Sequence, residues 1–191
     1  ISAIGQKNLK RLIAYSSIGH MGYALAGLSV GTNSGIQNSI IYISIYIVMN
    51  LGIFCCLFML RRKDKFYEQL DDLSGLSKNH PLISLSMLIL LFSLAGIPPM
   101  AGFFAKFYIF VSVIEKSMYL LAIVGLISTV ISAFYYLKII KIIYFDPPLD
   151  TYDRENFIGL KISLFLSTAL TLLYFLYPNS LINLVTKINL I

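Results

Sequence analysis

Hydrophobic residues fall in five long runs, at about 9–30, 36–60, 82–113, 118–145 and 157–177, separated by short polar stretches. Each run equals or exceeds the roughly 20 residues that carry a helix across a bilayer core. The pattern therefore predicts an all-α, polytopic transmembrane chain: one domain over 1–191 with five membrane segments. The third run, Leu82 to Val113, is the unusual one, because its 32 residues exceed one simple crossing. It is interrupted by Gly96-Ile97-Pro98-Pro99 and carries a single basic residue, Lys106. Two successive prolines remove backbone donors and clash with the preceding turn, so one helical half should end there and another begin. Non-helical backbone at membrane depth survives only inside protein or beside a water-filled cavity. Broken helices of this kind mark ion sites, and an ionisable residue within a span is a functional candidate by default.

The other segments add detail. The first carries Ser16, Ser17, Gly19, His20, Gly22 and Gly27, small and hydroxyl residues that let helices approach closely in lipid. Ser16, His20 and Tyr23 share one face, so this helix is expected to be surrounded by other helices. In the second, Tyr42, Tyr46 and Asn50 lie a turn apart on one stripe before Arg61-Arg62-Lys63 ends it. The following loop mixes charges, and Phe66 to Leu76 reads as a short amphipathic helix at the interface. The fourth segment closes on Tyr135, Tyr136, Lys138, Lys141 and Tyr144, the composition of an interfacial belt. Pro178-Asn179 ends the fifth, and 180–191 reads as a surface helix. No internal repeat is visible.

Composition fits this pattern. Hydrophobic residues make up 58% of the 191, and mean hydropathy is +0.80, values of a membrane protein. The net charge of +6 does not point to nucleic acid, because the basic residues sit in short loops, where they set topology and meet lipid headgroups. With five crossings, twelve of the fifteen Lys and Arg lie on the amino-terminal side. Lys116 and Lys187 lie opposite, and Lys106 is left inside. That asymmetry places the amino terminus in the cytoplasm or matrix. Cys55 and Cys56 are adjacent on one helix and point in different directions, as inert buried thiols rather than a disulfide or metal pair. No cleavable signal peptide is visible, and the chain opens on Ile1 rather than methionine, which leaves a fragment, a split gene product or unusual initiation open. There is no phosphate loop, nucleotide fingerprint, metal-ligand spacing or nucleophile–base set, so any redox chemistry belongs elsewhere.

Lys106 is the first candidate for chemistry. Desolvation disfavours its charged form and a nearby carboxylate would restore it, so an amine held between the two can take and release a proton. The competing reading is a snorkelling lysine whose amine reaches the interface. His20 is open to two roles, hydrogen-bonded packing or proton relay. Tyr46 and Asn50 likewise either glue helices together or line a polar path. Glu115, near a segment end, is expected to be solvated. Gly96, Pro98 and Pro99 are unreactive and make the break.

Two stretches carry a resemblance. Residues 8–23, NLKRLIAYSSIGHMGY, and 94–107, LAGIPPMAGFFAKF, resemble the antiporter-like membrane subunits of respiratory complex I, NADH:ubiquinone oxidoreductase. The lysine of the second motif is similar to the subunit-2 branch, where subunit 4 usually has glutamate. The likeness covers about residues 1–145. It implies two inverted five-helix repeats, each with a broken helix, linked by buried ionisable residues along the membrane midplane. Lys106 matches the proton-carrying lysine of the second repeat. Tyr46 stands where some sister subunits have histidine, so with His20 it would join the same axis. The chain is similar only to the carboxy-terminal half, and a separate chain is expected to supply the first repeat and its glutamate–lysine pair. Other membrane-arm subunits and lipids would be the remaining partners. NAD, FMN, iron–sulfur clusters and ubiquinone would be held in other subunits, with no cofactor here. The abundance of Ile, Tyr, Lys and Asn suits an AT-rich organellar genome, hence the mitochondrial inner membrane with a matrix amino terminus. A cation/proton antiporter or membrane-hydrogenase subunit of the same fold, and a structural subunit that moves no ion, are the alternatives.

Overall fold

The computed structural model describes residues 2–62, 65–66, 68–148 and 157–187. Helix α1 (Leu9–Ser29) starts where the Asn8 side chain accepts from the Arg11 N–H. Helix α2 (Asn33–Met59) starts where Thr32 does the same for Gly35. Both are side-chain caps of otherwise unpaired donors. The two helices pack at Gly27, where a Cβ would run into Ser39 and Ile109, and Ser39 Oγ donates to the Ala24 carbonyl at 2.9 Å. Helix α2 is the hub of the bundle and packs against α1 and every later long helix but α6.

The loop after α2 differs from expectation. In place of an amphipathic helix over 66–76, Arg61–Arg62 pairs antiparallel with Lys65–Phe66, a 3₁₀ turn covers Asp71–Leu73, and α3 (Leu76–Asn79) is a single turn. Leu70, Leu73 and Leu76 are all buried. A spacing of three suits the three residues per turn of a 3₁₀ helix, not a longer α-helix. The loop is tied to the start of α1 by the Leu9 N–H to the Glu68 carbonyl (2.6 Å) and the Leu70 N–H to the Lys7 carbonyl (2.8 Å). Glu68 also accepts from Lys10 (2.6 Å) and Asn8 (3.1 Å). These hydrogen bonds, Lys10 first, hold its carboxyl below the usual carboxylate range.

The third apolar run is broken as expected. Helix α4 (Pro81–Ala95) and helix α5 (Ala101–Glu115) have 15 residues each, about 22 Å, less than the roughly 30 Å hydrocarbon core. Helix α6 (Tyr119–Phe145) follows, then α7 (Ile158–Leu173), extended by a 3₁₀ turn to Leu176, and α8 (Pro178–Thr186). Pro178 opens α8 at its first position, and α8 lies against α2 with Val185 buried. Residues 188–191 of the expected tail helix lie outside the described residues. Asn33–Met59, Tyr119–Phe145 and Ile158–Leu176 are each long and apolar enough to cross a membrane alone. Five segments therefore require α1 and the α4–α5 pair as further crossings. Helix α4 can be joined instead to Asp71–Asn79 across a 119° bend, but that segment carries Asp71, Asp72 and Lys78 and suits an interface better than a lipid core.

Helix α1 is packed on one side only within this chain. Ser16, His20, Tyr23 and Gly27 are buried, whereas Ile18 (68% exposed) and Leu25 (62%) point outward. Neighbours from this chain cover the face of Leu12, Ser16, His20, Tyr23 and Gly27, while Gly19 and Gly22 lie on the outward side with Ile18 and Leu25.

Candidate functional site

The break is built from Gly96 and closed by Lys106. Gly96 takes φ +90°, the left-handed region where glycine carries no Cβ penalty. Its N–H bonds to the Ser93 carbonyl (2.9 Å), and that of Ile97 bonds to the Phe92 carbonyl (3.0 Å), which is the Schellman end of a helix. Two later carbonyls of α4, Leu94 and Ala95, still need donors. Lys106 Nζ supplies them at 3.0 and 3.1 Å. In return, Ser93 Oγ accepts from the Gly102 N–H at the start of α5, at 2.8 Å. Each half of the broken helix thus caps the other. A Cβ on Gly102 would collide with the Ser93 carbonyl oxygen, so glycine is required for the close approach.

Lys106 is 5% exposed, and its amine stays inside rather than snorkelling. The helices around it carry no Asp or Glu apart from Glu115, nine residues along α5 (about 13 Å) and exposed. What favours a positive charge here is the carbonyl end of α4, the negative pole of its dipole. The amine also lies over the Tyr23 ring, 5.1 Å from its centroid.

Beyond Tyr23 lies a histidine–tyrosine cluster. The His20 and Tyr23 ring centroids are 6.3 Å apart. His20 Nδ1 meets the Tyr42 hydroxyl at 2.7 Å, and Nε2 meets the Tyr136 hydroxyl at 2.9 Å. Tyr136 bonds on to Ser16 Oγ. Tyr46 stacks on the imidazole (4.8 Å, 24°) and donates to Ser17 Oγ at 2.6 Å. Tyr23 bonds Thr129 of α6 at 2.8 Å. A neutral imidazole donates at one nitrogen and accepts at the other, and a phenol can do either. A proton entering His20 from Tyr42 can therefore leave toward Tyr136 and Ser16 by a change of tautomer. Asn50, the third residue of that stripe, is not in the cluster; it is half-buried further along α2. A cleft of about 590 Å³ between α1, α5 and α6 reaches the cluster, lined by Ser16, His20, Tyr23, Ser132 and Tyr135 among others.

Sequence reasoning paired Lys106 with the break and grouped Ser16, His20 and Tyr23, but it misplaced Tyr135 and Tyr136. They are not an interfacial belt: Tyr136 is fully buried and Tyr135 is 6% exposed. Tyr136 lies nine residues, about 13 Å, before the end of a 27-residue helix, too deep for the interface. That helix length was the available signal. Cys55 and Cys56 are buried free thiols.

A bundle of apolar helices with a broken span and a buried amine at the break has the build of an ion-translocating membrane protein. Residues 1–132 match the NADH:quinone oxidoreductase/Mrp antiporter transmembrane family, and the chain belongs to that family. It is 70% identical over its whole length to NADH-quinone oxidoreductase subunit N of Pelagibacter ubique (strain HTCC1062), covering 41% of that protein. It is 48% identical to subunit N of Parvibaculum lavamentivorans over 95% of this chain and 38% of the relative. The chain thus spans about two fifths of the length of these relatives. Among solved structures, it resembles a chain of respiratory complex I from Thermus thermophilus (28% identity, TM-score 0.83, 95% of this chain and 41% of that one). It also resembles a chain of the archaeal membrane-bound sulfane sulfur reductase (29%, TM-score 0.85, 97% and 38%). The Mrp complex from Dietzia sp. DQ12-45-1b shares the fold (20%, TM-score 0.81, 96% and 42%).

Proposed function

We propose that this chain forms the second half of a proton-translocating membrane-arm subunit of an NADH:quinone oxidoreductase. The observation that carries the reading is the Lys106 amine, sealed inside the break on carbonyls alone, with the His20 relay on the far side of Tyr23. Charge movement during quinone reduction elsewhere in the complex would shift the balance at this amine. Water would carry the released proton past the Tyr23 ring, which offers Lys106 its face and not a hydrogen bond, and from His20 it would pass through Tyr136 and Ser16 toward the cleft. Tyr46 would hold the imidazole plane.

The buried carboxylate that Lys106 lacks here would come from the first repeat, joined to this chain or on a separate one. Partners would be the other membrane-arm subunits and lipid. NAD, FMN, iron–sulfur clusters and ubiquinone would be bound by other subunits. The amino terminus would lie on the negatively charged side of the membrane. A matrix location in mitochondria was suggested by AT-rich composition, which suits a bacterial genome equally; the bacterial relatives support a cytoplasmic membrane.

The test is Lys106→Met in the complete subunit, assembled in its complex and reconstituted in vesicles. Protons moved per NADH oxidised should fall, and an unchanged ratio would remove Lys106 from the mechanism. A purely structural subunit would be expected to place the amine among headgroups, and its burial counts against that reading.

A further inference from the structure

Lys106 and the cleft do not meet. Tyr23, Ile109 and Phe110 line the cleft between α1, α5 and α6, whereas Lys106, one turn before Ile109, does not. The Tyr23 ring lies between them. Its face covers the amine at 5.1 Å, and around it stand His20, Tyr42 (centroids 5.8 Å apart) and Phe110, edge-on at 6.1 Å. Tyr23 is buried, and its hydroxyl is tethered to α6, where it bonds Thr129 Oγ1 at 2.8 Å and donates to the Gly125 carbonyl at 3.2 Å. Helix α6 comes this close because Gly125 has no side chain; a Cβ there would collide with Phe110.

Charge decides how firmly the ring sits. An ammonium has three N–H donors, and the Leu94 and Ala95 carbonyls take two of them. The third is left to the Tyr23 ring, whose negative face attracts a cation. A neutral amine keeps two N–H groups for the same carbonyls and turns its lone pair to that face, so the attraction is gone. The released ring has somewhere to go. A tyrosine on a helix has two open χ1 wells, and the cleft borders this one.

We propose that Tyr23 is a charge-operated gate between Lys106 and the cleft, shut on the amine when it carries its proton and freed when it does not. The inference rests on the proton-carrying reading of Lys106 and names the side chain that positions and guards this carrier. A loaded amine stays closed to the cleft until charge movement in the complex weakens its hold on the ring, so it does not discharge between turnovers. The working part is the ring and not the hydroxyl, which is committed to α6.

The test uses the complete subunit, assembled in its complex and reconstituted in vesicles, and reads protons moved per NADH oxidised beside the rate of NADH oxidation. Tyr23→Leu removes the aromatic face, and its ratio should fall below wild type while NADH oxidation keeps its rate. Tyr23→Phe retains the face and should keep the wild-type ratio. A wild-type ratio in Tyr23→Leu would overturn the proposal. So would a ratio in Tyr23→Phe as low as in Tyr23→Leu, which would make the hydroxyl the working part. Cryo-electron maps of the assembled complex decide the matter even if Tyr23→Leu fails to assemble. The Tyr23 ring should keep its place in Lys106→Arg, which preserves the charge, and leave it for the cleft in Lys106→Leu, which does not; one ring position in both would overturn the gate. The two claims fail separately. An unchanged ratio in Lys106→Met removes the carrier, whereas a lowered ratio there beside a wild-type ratio in Tyr23→Leu removes the gate alone.

Discussion

At the scale of single residues, the site depends on a few hydrogen bonds that have no water to replace them. Tyr136→Phe keeps the ring but deprives His20 Nε2 and Ser16 of their partner. It should lower stability by about 1 kcal/mol, read as a lower unfolding midpoint in detergent. An unshifted midpoint would mean that the hydroxyl is not needed for the fold. Lys106 and His20 were legible in the sequence because ionisable residues inside apolar runs are rare. Tyr42 and Tyr136 were harder, since a tyrosine has the same composition at an interface and in a buried network. Depth along the helix separates the two cases, and depth follows from helix length.

At the scale of elements, the break was the most legible feature, because Gly-Ile-Pro-Pro cannot continue a helix. Its mutual capping was not, since Ser93–Gly102 and Lys106–Leu94 are contacts between two helix ends. Gly102→Ala should cost on the order of 4 kcal/mol or prevent assembly, measured by melting and by yield of the complex. Gly159→Ala, where a Cβ meets nothing within 4 Å, should be neutral. The loop after α2 was misread because three buried leucines at a spacing of three also fit part of an amphipathic helix. Its link to α1 makes a pH prediction. The Glu68 carboxyl lies below its unfolded value, so its contribution is present above the unfolded pKa and is lost as pH falls through the folded one. Glu68→Gln should therefore speed amide exchange at Leu9 and Leu70 at neutral pH, with the difference vanishing in acid.

At the scale of the whole molecule, the helical architecture was legible because bilayer thickness fixes segment length. Among the described residues no Asp or Glu lies beside Lys106; Glu115, about 13 Å along α5 and exposed, is the single acidic residue on helices α1 to α7. The basic asymmetry predicts sidedness. A cysteine at position 71 should react with an impermeant reagent from the amino-terminal side only, and one at Ser117 from the opposite side only. Labelling of both from one face would contradict the crossing pattern.

A proton-carrying Lys106 must give up its proton at the break, and not merely hold a charge there. Lys106→Arg separates these, because a guanidinium can still donate to Leu94 and Ala95 but stays protonated in proteins. The measurement is protons translocated per NADH oxidised by assembled complex carrying Lys106→Arg. A ratio as low as that of Lys106→Met is expected, and a ratio equal to wild type would contradict the account.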